Sequence, residues 1–177
     1  MEKNYKEYLK DIKCFMFDVD GVMTDGRVLI TTDGQLYRAM NIKDGFALKT
    51  AVDKGYEVVA ISGGNNTGVK SRLEGLGLSE IYLGVSDKIA VMNEIFSRKD
   101  IEPDQVLYMG DDIPDLQAMQ RVILPCCPQD AVPEIKAVSR YVSHRSGGQG
   151  CVRDVIEQVL KVQGKWAVHG PTSAKYD

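Results

Sequence analysis

Two aspartates, Asp18 and Asp20, stand two residues apart directly after the apolar run Cys14-Phe15-Met16-Phe17. Side chains alternate along an extended strand, so residues two apart share a face. Both carboxylates then project from the strand's C-terminal end into one small volume. Like charges that close need a cation or a shared proton. A Mg²⁺ ion, held by one or two carboxylates and a phosphate substrate, meets that need. Asp20-Gly21 is also a common turn dipeptide, so this segment alone admits a plain surface turn.

Three further segments repeat the situation. Ser62-Gly63-Gly64 follows an apolar run at 56–61, and Lys88 lies just beyond another at 81–83. Gly110-Asp111-Asp112-Ile113-Pro114-Asp115 follows a third, at 106–109. In a parallel sheet such strand ends converge on one edge, where ligands bind. The chemistry that fits is phosphoryl transfer. A carboxylate can attack phosphorus and carry it covalently. A second carboxyl can protonate the leaving alcohol and then take a proton from water. Hydroxyl and lysine donors can stabilise the phosphate oxygens. Asp18 is the candidate nucleophile and Asp20 the candidate acid/base. Ser62 and Lys88 are candidate phosphate holders. Asp111 is a candidate metal ligand, with Asp112 or Asp115 in support. Each also has a plain alternative. Ser62 reads as a turn residue, Lys88 as a solvated lysine, Asp112 as a helix N-cap, and Asp115 as a charge favouring a helix N-terminus.

The elements that must position these residues alternate. Residues 4–12 have helical apolar spacing, and 13–18 read as a strand buried on both faces. Strands at 27–31 and 35–40 flank Thr32-Asp33-Gly34, a hairpin signal. A helix opens at Asp44 as N-cap and stops at Gly55. There follow a strand at 56–61, a helix at 66–75, a strand at 81–83 and a helix from Asp87. A strand at 106–109, a helix at 115–120 and a strand at 122–124 come next. Pro128 and Pro133 bracket a turn or short helix, and a last amphipathic helix runs over 151–162. The pattern predicts an α/β fold: a Rossmann-like, doubly wound parallel sheet with a β-hairpin insertion after the first strand. One domain over 1–166 and a C-terminal tail over 167–177 are expected.

Composition agrees. The chain has 177 residues, 44% of them hydrophobic, and a net charge of −3. That is enough for one core, and the lack of a basic tract argues against nucleic acid as a partner. There is no signal-peptide core and no membrane-spanning run, so a cytoplasmic location is the default expectation. Cys14, Cys126, Cys127 and Cys151 lack C-x-x-C spacing and read as reduced, structural thiols. With only two histidines, a His-rich zinc site is not expected.

Taken together, Asp18-x-Asp20-Gly21-Val22, Ser62, Lys88 and Gly110-Asp111-Asp112-x-x-Asp115 resemble the four motifs of the haloacid dehalogenase superfamily of phosphohydrolases, in order. The resemblance implies Mg²⁺ dependence and an aspartyl-phosphate intermediate. It implies metal binding by Asp18, the backbone carbonyl of Asp20, and Asp111. The short spans from Asp20 to Asp44 and from Ser62 to Lys88 leave no room for a cap domain. The hairpin, Asn41-Ile42-Lys43-Asp44-Gly45 and Gly147-Gly148-Gln149-Gly150 are similar to one capless branch. That branch contains 3-deoxy-D-manno-octulosonate 8-phosphate phosphatases, nine-carbon sugar-acid phosphatases, and domains attached to sialic-acid activating enzymes.

The branch implies a homotetramer whose hairpins associate, with each active site bordered by a neighbouring subunit. It suggests Asp20, Asn41, Ile42, Lys43, Asp44, Gly45, Lys49, Gly63, Gly64, Arg72 and Lys88 as substrate contacts. Arg72 would pair with a sugar carboxylate, although it also reads as an exposed helix arginine. Gly64 is a departure, because octulosonate enzymes can carry a basic residue there and nine-carbon enzymes a glutamate. Gly164-Lys165-Trp166 resembles tails that reach a neighbouring site. The expectation is a phosphatase for the eight-carbon sugar-acid 8-phosphate, serving lipopolysaccharide synthesis. The alternatives are a nine-carbon 9-phosphate as substrate, or a non-catalytic oligomerisation module.

Overall fold

Alternating faces of one buried sheet account for the architecture. In β1 (Cys14–Phe17), Phe15 and Phe17 belong to one apolar cluster and Cys14 and Met16 to another. β4 (Glu57–Ile61) and β6 (Val106–Met109) divide in the same way, so strands with no polar face separate two cores. The computed structural model describes residues 4–166. The predicted tail, 167–177, lies outside them.

The main sheet has six strands in the order β5-β4-β1-β6-β7-β8, all parallel, with β5 at Glu80–Tyr82, β7 at Leu124–Cys127 and β8 at Tyr141–Val142. α1 (Ile42–Asp53), α2 (Thr67–Gly75) and α6 (Cys151–Val162) contribute to one core. α3 (Lys88–Lys99), α4 (Leu116–Met119) and α5 (Pro133–Val138) contribute to the other. This is the doubly wound parallel sheet expected. The predicted hairpin is present as a separate two-stranded sheet, β2 (Leu29–Ile30) against β3 (Leu36–Tyr37). Gly34, at φ +80°, turns it. Among the described residues there is no cap domain: only a loop and the hairpin separate β1 from α1, and only α2 and β5 separate β4 from α3.

Several boundaries differ from expectation. Residues 4–12 hold only a 3-10 turn, Tyr5–Glu7, instead of a helix. The carbonyls of Leu9 and Ile12 accept from Gln163 Nε2 of the last helical segment, which satisfies them without helical bonds. Asp44 is not the N-cap of α1. Asn41 is, with its side chain accepting from Lys43 N at 2.8 Å, so the helix starts earlier. The predicted strand at 122–124 lies instead at Leu124–Cys127 and includes Pro125. A proline argues against a central strand because it lacks a donor. Here its carbonyl still accepts from Arg140 N at 2.8 Å. β8 is too short to leave a periodic signature.

The loop after β1 is fixed from two sides. Val22, Met23 and Thr24 all donate backbone N–H groups to Val19 O, and Thr24 Oγ1 accepts from Gly21 N and Gly26 N. The Gly147-Gly148 segment lies directly against this loop. Gly148 N donates to Val22 O at 2.9 Å, and a Cβ on Gly147 would stand 2.0 Å from Gly21 O. Only glycine permits that approach. Gly147→Ala is expected to lower stability by about 1–3 kcal/mol through overpacking, read as a lower urea midpoint with an unchanged slope.

Candidate active site

Three carboxylates and one lysine form the centre. The C-terminal ends of β1, β4 and β6 lie side by side because β1 pairs with both neighbours. Asp18 continues β1, its N–H donating to Met109 O of β6 at 3.0 Å. Asp87 caps α3 by accepting from Ala90 N, and this sets Lys88 in the helix's first turn. Lys88 Nζ lies 3.0 Å from Asp18 Oδ1 and 2.7 Å from Asp115 Oδ1. A cation at that position opposes the helix dipole. Burial alone would pull its pKa down, but Asp115 and Asp18 outweigh burial and raise it, so it stays protonated.

Asp115 is saturated. Tyr108 OH donates to Oδ1 at 2.7 Å, and Asp111 N donates to Oδ2 at 3.2 Å. Its role is to orient Lys88 and the Asp111 backbone. Asp111 differs: its Oδ1 is buried and has no hydrogen-bond partner among the described residues. Carboxylate oxygens of Asp18, Asp111 and Asp115 lie within 4.8 Å of one another. Burial and then the neighbouring carboxylates push Asp111 up to about 8 and Asp18 up to about 6. Gly21, at φ +90°, leaves space for this packing, since a Cβ there would meet Asp111 Oδ2 at 2.0 Å. An orphaned oxygen among crowded carboxylates is what a hard divalent cation fits. Asp112 is exposed and accepts from Ile113 N as a cap, the plain alternative read from the sequence.

A cavity of about 420 Å³ opens on this centre, lined by Asp18, Asp20, Ser62, Gly63, Gly64 and Lys88, among others. Ser62 is buried after β4, with Oγ accepting from Gly64 N at 3.1 Å. Asp20 also lines the cavity. Its two oxygens accept from Arg38 Nε at 2.7 Å and Nη2 at 3.1 Å. Arg38 and Tyr108 are the two site residues that sequence reasoning missed. Tyr108 sat in plain view, since a tyrosine in a fully buried strand needs a partner for its hydroxyl. Arg38 carried no signal beyond its place in the hairpin.

None of the other suggested substrate contacts lines this cavity within one chain. Asn41 is occupied as a cap and donates from Nδ2 to Gly148 O. Ile42 and Lys43 are exposed at the start of α1, and Lys49 pairs with Asp53. Gly45 packs close to Arg72, where a Cβ would lie 2.7 Å from Nη2. Arg72 lines a separate cavity of about 510 Å³, together with Arg38, Met40 and Asn66. Asp44 is buried, and its Oδ1 accepts from Arg153 N at 2.8 Å.

Two levels of classification follow. The parallel sheet with this carboxylate–lysine centre at its C-terminal edge is the arrangement of the haloacid dehalogenase-like hydrolases, whose family model matches residues 77–154. The 3-deoxy-D-manno-octulosonate 8-phosphate phosphatase KdsC of Salmonella typhi is 34% identical over 156 residues, covering 88% of this chain and 83% of the relative. The crystal structure of the phosphatase of that name from Yersinia pestis superposes with a TM-score of 0.90 at 31% identity, over 93% of this chain and 89% of the other. That from Moraxella catarrhalis, solved with magnesium ion, phosphate ion and KDO, gives 0.88 at 31% identity, over 92% and 93%. The chain belongs to this family of haloacid dehalogenase-like phosphatases.

Two outcomes follow from the charges. Lys88→Met leaves Asp18 and Asp115 buried without their cation and is expected to cost about 3–5 kcal/mol in denaturant unfolding. Asp44 lies apart from that cluster, and burial raises its carboxyl to about 6 against the backbone donors that lower it. The unfolded chain then releases this proton first, so stability falls as pH rises from about 4 through 6. Asn at this position keeps the acceptor for Arg153 N without the charge. Unfolding free energies of Asp44→Asn relative to wild type are therefore expected to gain up to about 3 kcal/mol between pH 4 and 7. A difference that stays flat with pH would remove this assignment.

Proposed function

We propose that this chain is a Mg²⁺-dependent phosphatase that hydrolyses 3-deoxy-D-manno-octulosonate 8-phosphate to the free sugar acid and phosphate. The observation that carries the reading is the orphaned Asp111 Oδ1 packed beside Asp18, which with Lys88, Ser62 and Asp20 lines the cavity. The names of the relatives support the substrate.

Asp18 attacks phosphorus and becomes an aspartyl-phosphate, which water then hydrolyses. Asp20 donates a proton to the leaving sugar oxygen and later takes one from that water. Ser62 Oγ and Lys88 Nζ hold the phosphate oxygens, and Lys88 is already fixed by Asp115. Asp18, Asp111 and the main-chain carbonyl of Asp20 would hold Mg²⁺, with Asp115 supporting from behind. When bound there, such an ion would supply positive charge to the phosphate oxygens.

The working unit is proposed to be a homotetramer that places a neighbouring subunit at the mouth of the site. The hairpin supports this: Leu29, Ile30 and Tyr37 are 68%, 67% and 58% exposed, more apolar surface than a two-residue ladder can bury. A cytoplasmic role in lipopolysaccharide synthesis goes with the substrate. Among the described residues no helix is long and apolar enough to cross a membrane.

The test is a panel of sugar phosphates with the purified protein. Phosphate release is expected to be fastest from the eight-carbon sugar-acid phosphate and to stop with a chelator. Asp18→Asn is expected to abolish turnover while the fold survives, and a fully active Asp18→Asn protein would refute the nucleophile. Asp111→Asn is expected to raise the Mg²⁺ concentration needed for half-maximal activity by tenfold or more, about the loss of one charged contact.

A further inference from the structure

The proposed acid/base is not free to act as it stands. Arg38 Nε and Nη2 engage both oxygens of Asp20, a fork of the kind guanidinium makes with carboxylate. The Arg38 side chain is only 10% exposed, so the pair is seated rather than waving in solvent. To protonate the ester oxygen of a substrate, Asp20 must carry a proton, and a carboxylate held in that fork is ionised.

The surroundings indicate where the guanidinium can go. Arg38 also lines the cavity between hairpin and α2 that Arg72 lines, while Asp20 and Gly64 line the reaction cavity. A narrow crevice holds Asp20, Arg38, Ser62, Gly64 and Asn66 together. Position 64 is shaped by the pair, since a Cβ there would lie 2.9 Å from Asp20 Oδ2 and 3.5 Å from Arg38 Nη2. Arg38 thus stands at the boundary of two spaces, with glycine keeping the boundary clear.

We infer that Arg38 couples turnover to a carboxylate on the leaving group. It holds Asp20 as a carboxylate, as seen here, and transfers to the carboxylate of an entering sugar acid, which frees Asp20 to take up a proton from solvent and give it to the ester oxygen. Exchanging one carboxylate for another keeps the guanidinium paired throughout. A neutral sugar phosphate offers no exchange partner, so releasing Asp20 would strand both charges. Arg38 is in this sense a specificity residue. The inference rests on the sugar-acid phosphatase reading and narrows it to one contact.

The experiment compares wild type, Arg38→Met and Arg38→Lys on the eight-carbon sugar-acid phosphate and on glucose 6-phosphate, with melting curves as a fold check. For Arg38→Met, kcat/KM on the sugar acid is expected to fall by about tenfold to a hundredfold, as for loss of a charged hydrogen bond. Its kcat on glucose 6-phosphate is expected to rise. Arg38→Lys keeps the charge without the fork and is expected to fall between them. Equal losses on both esters with an unchanged melting point would mean a structural role and overturn the inference. A raised KM for the sugar acid with kcat on glucose 6-phosphate unchanged would overturn it too, leaving a plain contact. If a different carboxylate-bearing phosphate is the substrate and shows the same Arg38 pattern, the sugar assignment fails and the exchange stands.

Discussion

One buried ammonium against three carboxylates sets the terms for this molecule. Lys88 faces Asp18 and Asp115, and Asp111 packs within reach of both. A single lysine cannot balance three acids, and burial makes the excess expensive. Tyr108 and the Asp111 N–H absorb part of the strain at Asp115. Nothing among the described residues does so for Asp111 Oδ1. The centre therefore has an affinity for a divalent cation built into its packing, and the same deficit of positive charge suits a reaction that ends with phosphate leaving.

The rest of the fold reads as support for that crowding. Parallel pairing of β1 with β4 and β6 brings three strand ends to one edge, and helix starts complete the ring. Close approach depends on glycine at several points, two of them Gly21 beneath Asp111 and Gly147 beneath Gly21. The two contacts stack, so the segment before α6 fixes the loop that packs against the Asp111 carboxylate. The other side is looser: the hairpin that carries Arg38 has only two residue pairs and exposes its apolar side chains. The reaction centre is rigid where phosphate chemistry is common to many substrates. The proposed recognition of the leaving group falls on the side carried by the short, exposed hairpin.

Legibility in the sequence follows the same division. Asp18, Ser62, Lys88 and Asp111 could be read because each follows an apolar run, and parallel strands must bring such positions together. The hairpin was legible from Asp33-Gly34. The α1 start was misplaced because Asn41 and Asp44 are both good caps, and only burial of Asp44 against Arg153 N decides between them. β7 slipped because Pro125 argues against a strand, and its carbonyl's use was invisible in one dimension. Arg38 escaped because its partner lies 18 residues away through a loop of no fixed period. The suggested contacts on α1 and Arg72 came from family resemblance alone, and within one chain they do not reach the reaction cavity.

That last separation bears on how the site is completed. Phosphate chemistry in a cavity open to water loses the electrostatic advantage of exclusion. No cap exists among the described residues to supply it, while an apolar hairpin that carries Arg38, the partner of Asp20, stands exposed. Burying Leu29, Ile30 and Tyr37 against another copy would satisfy the hairpin and bring a wall to the cavity in one event. It would also hold β3 in place, and Arg38 directly follows β3. Assembly and control of Asp20 would then share one structural element. This offers a physical reason for a hairpin to be kept where a cap would otherwise be inserted.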